Sequence, residues 1–444
     1  MSRHTTRRRF LHGGVAVGGI ALAGCVGGEP GPDAVASAGE EADDEDDGDH
    51  EDDEREADDE GSDAEYEVWA FDQGTDTGYI YGPDGEDSFE LLDEIDVAGL
   101  AETESGGNVP HMVDFSSDYE YAAVACTAGA ATLVFRTEDR ELVGACPTGP
   151  GTHFAGFTPD DEYIQVDVIG EGSIKRIDAD LENEEFSIVD EIHVVEAGPV
   201  ADRIDEFDLD DEGELRPICH DYSNGTSYHT LGPGIDNAGV VIVDYDSFEV
   251  VEAFAPGEVR ANCGTMAHPS ENKLYLTAGA PSNHEPTGGV GEWYVIDTEE
   301  HRPIDPETDE VVEGEYSHED VSRDSGGYDA HGFWFTADES EFWILNRETD
   351  DGLVIDPGTD EVIEEVPDYG PAPDIMWGSP DGRYKFVTLR GPNPLSGDPH
   401  AATGETPGFS VIDVESRAIS EVVQPDDGNP DSDFHGIGVR VIEG

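Results

Sequence analysis

The chain has 444 residues, in which 106 acidic side chains face only 21 basic ones and the formal net charge is -85. Such a surface repels phosphate backbones and anionic bilayers, so nucleic acid and the membrane surface are excluded as partners. Only Lys175, Lys273 and Lys385 represent lysine, and the balance is that of a protein adapted to brine, where molar salt screens charge within about 3 Å.

The first residues carry a targeting pattern rather than structure. Arg7, Arg8 and Arg9 precede Phe10 and Leu11, and an apolar, Gly-rich stretch from Val15 to Ala23 leads into Gly24-Cys25. Thr6-Arg7-Arg8-Arg9-Phe10-Leu11 resembles a twin-arginine export signal, and Leu22-Ala23-Gly24-Cys25 resembles a lipobox whose Cys25 thiol takes the lipid. The stretch is too short for a membrane helix, and nothing later is apolar for long enough. Residues 1–25 are therefore expected to export the chain and hold it by Cys25 at the outer face of its membrane, with no other membrane contact. From Glu29 to Glu65, 20 acidic residues stand against one basic residue without apolar periodicity, which predicts a self-repelling, disordered tether over 26–65.

Beyond Tyr66 short β-rich runs alternate with Gly, Pro, Asp and Asn turns, and no long helical period occurs. Strand ends of one kind recur as Arg176-Ile177-Asp178, Ile242-Val243-Asp244, Val295-Ile296-Asp297, Val354-Ile355-Asp356 and Val411-Ile412-Asp413. A second element, a short strand closing on a Ser/Thr-x-Asp turn, runs from His111 to Asp118, His153 to Asp160, His331 to Asp338 and Asp374 to Asp381. The two keep register, because 25 residues separate His153 from Asp178 and His331 from Asp356. A fixed offset across separate segments means one repeated unit. Units begin near His111, His153, Ile218, Thr265, His331 and Asp374, with insertions after Pro281, Arg302 and Gly391. The final Phe434-His435-Gly436 run is a first strand whose partners lie at Glu67–Phe71, Gly78–Tyr81 and Phe89–Ile95. Residues 66–444 are thus expected to form an all-β, seven-bladed β-propeller closed by its two ends.

Strand ends such as Val295-Ile296-Asp297-Thr298, with their turns, resemble the YVTN-type, or YncE-like, β-propellers over essentially all of Tyr66–Gly444. The resemblance implies the fold and leaves the activity open, since such propellers host many functions.

First strands line a propeller's channel, so one repeat position forms a ring: His331, Asp374, His435, His111 and His153 on five consecutive blades. The third blade has Ile218 there, with His220 two residues on and expected on the same face. The fourth has Thr265, with Cys263 two residues before; His268 is out of register. Converging imidazoles and a carboxylate suit zinc or copper. Met112, Met266 and Met376 lie on the same strands beside Cys219 and Cys263, and these soft atoms favour copper. In YVTN-type propellers a Pro-His-Gly-like strand start also serves as a purely structural ring bonded to loop carbonyls. The site is similar in kind to the propeller domain of nitrous oxide reductase, which carries a copper cluster on histidines, but this sequence lacks the cupredoxin-like domain, and Asp374 replaces one histidine.

Cys126, Cys146, Cys219 and Cys263 allow three pairings outside the cell; a Cys219–Cys263 disulfide is expected, and Cys126 with Cys146 could staple the first blade. No haem attachment, nucleophile elbow or phosphate loop occurs. Asn224-Gly225-Thr226 matches a glycosylation acceptor. The expected function is surface binding of a transition metal or a small molecule. The alternatives are a lactonase-like or metal-dependent oxidoreductase propeller enzyme, and a scaffold for a cell-surface protein partner.

Overall fold

The computed structural model describes residues 65–442 except 86–87, 101–106, 211, 396–401 and 426–428; the export signal, Cys25 and the tether to residue 64 lie outside the described residues. Seven antiparallel sheets follow one another along the chain. Blade one comprises Pro110–Phe115, Tyr121–Cys126, Ala131–Arg136 and Glu141–Cys146. The first strands of blades two to six are Thr152–Phe157, Arg216–Ser223, Thr265–Ala267, Ala330–Phe335 and Pro373–Gly378. Blade seven takes its first strand, Phe434–Ile442, from the C-terminal end and pairs it with Glu65–Asp72, so the two ends close the ring as expected.

Burial grades outward across each blade. Second strands such as Tyr121–Cys126 and Tyr384–Leu389 are buried at every residue, while the outermost Glu361–Val366 exposes all but its last. That is why second strands read as continuous apolar runs. Seven apolar clusters hold the molecule together, and each lies between two consecutive blades, including the pair that joins the ends. Tyr66 and Val439 pack on Tyr384 and Phe386 across the last of these junctions.

The Ser/Thr-x-Asp turn has a common cause. The hydroxyl of Ser116, Thr158 and Ser379 donates to the carboxylate two residues on, at 2.7, 2.9 and 2.5 Å. Three residues after each hydroxyl the chain adopts positive φ, at Tyr119, Asp161 and Gly382, and also at Glu339 after Thr336. The hydroxyl–carboxylate bond fixes a left-handed turn that even tyrosine tolerates.

Candidate metal centre

Each ring residue sits in a β-bulge of its first strand. Register shifts fall between Pro110 and Met112, Thr152 and Phe154, Ala330 and Phe333, and Pro373 and Met376, bracketing His111, His153, His331 and Asp374. The closing strand shifts opposite Ala70–Asp72, beside His435. A bulge re-aims one side chain out of the pleat, and repetition in five blades turns five side chains toward one axis.

The imidazoles meet there. His111 stacks on His435 with ring centroids 3.7 Å apart and meets His153 at 4.2 Å, while His331 lies 6.5 Å from His435. His435 Nδ1 bonds the His111 carbonyl at 3.0 Å and His153 Nδ1 the Ile218 carbonyl at 2.8 Å, each reaching the next blade. His111 Nδ1 bonds the Gln73 side chain at 2.5 Å. These bonds fix orientation and leave Nε2 of each ring for other partners. His111 Nε2 and His331 Nδ1 are buried with no partner among the described residues. Burial lowers all four imidazoles, His153 to about 4 and His435 to about 3, with His435 and His153 adding to the effect on His111. All four are therefore neutral at physiological pH, the state in which imidazole ligates metal.

Asp374 belongs to a buried chain of charges that sequence reasoning missed. Arg347 binds Asp329 through Nε at 3.1 Å and Asp374 through Nη1 at 3.1 Å. Arg390 binds Asp374 through Nη1 at 2.7 Å and grips Asp433 at 2.7 and 2.8 Å. Burial works against the Asp374 carboxylate, but His435 and both arginines outweigh it and hold it well below the usual range. His331 Nε2 and His435 Nε2 approach its oxygens at 3.2 and 3.5 Å. Three aspartates and two arginines thus form one buried chain beside four neutral imidazoles.

His220 lies elsewhere. The shift between Pro217 and His220 cancels the two-residue alternation that put it on the ring's face. Its Nδ1 bonds Asp167 Oδ2 at 2.6 Å, and His229 Nδ1 bonds the other oxygen at 2.6 Å. Burial would raise Asp167, but the two imidazoles outweigh it and keep it charged. Asp167 and His229 stand on second strands of blades two and three; a polar residue inside a fully buried run was the available signal. Ring–carboxylate distances this short mark N–H donors, not ligands around an ion.

The expected Cys219–Cys263 disulfide is not formed, and all four cysteines of residues 65–442 are free thiols. Cys219 Sγ turns to His153 Nδ1 at 3.8 Å, whereas Cys263 Sγ turns to Asn262 Oδ1 at 3.5 Å. Burial pushes both thiols up, so neither is a thiolate. Cys126 and Cys146 occupy the second and fourth strands of blade one, and two strand spacings of about 4.8 Å exceed a disulfide's reach. Met112, Met266 and Met376 pack against three different interblade clusters, as core filling does.

No protein-family model matches the chain, and no curated protein matches it. Solved structures do. The chain is similar to the periplasmic gluconolactonase of Pseudomonas aeruginosa at 14% identity, covering 86% of this chain and 99% of that one with a TM-score of 0.56. It is similar also to a candidate 6-phosphogluconolactonase of Bacteroides fragilis at 12% identity, covering 85% and 98% with a TM-score of 0.55. The likeness is one of fold.

Proposed function

We propose that this protein is a β-propeller binding protein that holds a copper or zinc ion on His111, His153, His331 and His435, with Asp374 beside them. One observation carries the reading: buried His331, Asp374 and His435 bring ligand atoms within 4.8 Å of one another, among neutral imidazoles of which His111 Nε2 and His331 Nδ1 have no partner among the described residues. A bound cation gives such a nitrogen a partner, where an orphaned polar group otherwise costs about 1–3 kcal/mol. In this reading the chain leaves the cell through the twin-arginine route already folded, and Cys25 anchors it by lipid. The acidic tether then lifts the ring into salt water, where it captures or delivers metal.

Metal titration of protein purified in strong salt tests the proposal. One equivalent of copper or zinc is expected to bind, and His111→Ala with His435→Ala is expected to weaken it at least about 100-fold, as loss of two ligands should. Protein that binds neither metal, or a double variant that binds as the parent does, refutes the site. A second reading, a propeller enzyme, rests on His220, whose Nδ1 is fixed by Asp167 as in a general-base pair. Hydrolysis of a δ-lactone that disappears in His220→Gln while metal binding persists would favour it.

A further inference from the structure

Beside the ring the first strands of blades one to six line an open-mouthed cavity of about 170 Å³, with His331 in its wall. Phe154, Phe333, Trp334 and Trp377 turn half-buried aromatic surface toward it. Apolar rings left uncovered inside a molecule mark a ligand cavity rather than core. Trp334 and Trp377 stack at 4.0 Å, which fixes their orientation without help from a ligand.

The charged groups on this wall are the carboxyls of Asp114 and Asp221. Asp114 Oδ2 takes the Phe157 N–H at 2.8 Å, and Asp221 Oδ2 takes the Ala267 N–H at 2.7 Å. Among the described residues no lysine or arginine lines the cavity. The one neighbour that draws either carboxyl down by its charge is His220. His220 bonds Asp167 through Nδ1, and its Nε2 has Tyr222 Oη at 3.4 Å as its hydrogen-bond partner among the described residues. Burial dominates both carboxyls and raises Asp114 to about 7, as expected where no cation offsets the charge.

We propose that this cavity binds an organic cation, an ammonium group on a small alkyl or aryl frame, with the aromatic side chains around it and Asp114 and Asp221 as its counter-charge. Aromatic rings attract a cation through their quadrupole, most strongly when both are out of water. Burial disfavours the charged form of both carboxyls, and a bound cation gives that form the partner an apolar site otherwise denies it. A hard inorganic cation fits worse, because calcium or magnesium needs about six or more oxygen ligands and two carboxylates already bonded to backbone supply few.

Choline and dimethylbutanol, in which carbon replaces the ammonium nitrogen, differ essentially in charge and separate this proposal from simple apolar filling. Both are titrated into the metal-free full chain in strong salt, with binding read by calorimetry and by quenching of tryptophan fluorescence. Choline is expected to bind at least about tenfold more tightly than the neutral analogue. Asp114→Asn together with Asp221→Asn keeps the backbone bonds and is expected to remove that preference while the neutral analogue binds as before. Equal binding of the two probes, no binding of either, or a preference that survives in the double Asn variant overturns the proposal. Because no metal is added, the outcome does not depend on metal binding, even though His331 borders both sites.

Discussion

His153 and His435 carry their burial as a pH dependence. Their side chains fall to about 4 and about 3 in the folded chain from 6.5 in the unfolded one, so between those limits the unfolded state binds more protons. Their contribution is complete above about pH 6.5 and is lost as pH falls toward 4, by about 2 kcal/mol per histidine at pH 5. Asp114 opposes them, since burial raises it from 3.8 to about 7; its contribution is complete below about pH 4 and is lost as pH rises through 7. Asp221, also raised by burial, acts with Asp114, but with His111 and His331 lowered as well the four histidines outweigh the two carboxyls, and metal-free protein in strong salt is expected to lose stability from pH 7.5 to pH 5. Chemical denaturation at the two values checks this. His153→Gln should shallow the loss and Asp114→Asn should deepen it. Equal stability at both pH values would mean that the imidazoles are not held neutral.

Among the elements, the bulged first strand and the closing strand matter most, and Arg390 joins them. It follows the second strand of blade six and ties Asp374 in that blade to Asp433 at the entry of Phe434–Ile442. Arg390→Met takes the guanidinium from Asp433 and leaves Asp374 with Arg347, and is expected to cost about 3–5 kcal/mol, with Arg390→Lys intermediate because an ammonium cannot grip Asp433 in two places. A Met variant within about 1 kcal/mol of the parent in denaturant titration would show that the ion-pair chain is not what holds the closing strand. The blades, their order and the ring positions were legible because side-chain alternation and the hydroxyl–carboxylate turn repeat in the sequence itself. A bulge is a property of strand pairing, which composition does not record, and so Ile218 to His220 read as one face when it is not. Asp167 and His229 escaped for another reason: Asp167 reaches His220 and His229 from the neighbouring blade, across 53 and 62 residues. Arg347 and Arg390 lie just past the second strands Phe342–Asn346 and Tyr384–Leu389, outside the repeat position that was compared.

At the scale of the molecule, 86 acidic residues against 16 basic ones from Tyr66 onward put a formal charge of about -70 on one closed ring. Much of it stands on outermost strands such as Phe89–Asp96 and Glu361–Val366, whose side chains are largely exposed. Like charges on neighbouring blades repel along the whole circumference, and the interblade apolar clusters oppose that repulsion. Pairing of Phe434–Ile442 with Glu65–Asp72 makes the blades interdependent, so once the repulsion wins the ring should open as a unit. Removing KCl is therefore expected to unfold the protein in one transition, followed by circular dichroism from about 3 M down to about 0.1 M salt. The midpoint identifies the cause. If screening governs, NaCl and KCl act alike and most of the gain is present by about 1 M, where fields extend only about 3 Å. If strengthening of apolar burial governs instead, sulfate stabilises at far lower ionic strength than chloride. A ring that stays folded at 0.1 M would mean that the acidic surface is not an adaptation to brine, and that the interblade clusters alone outweigh it.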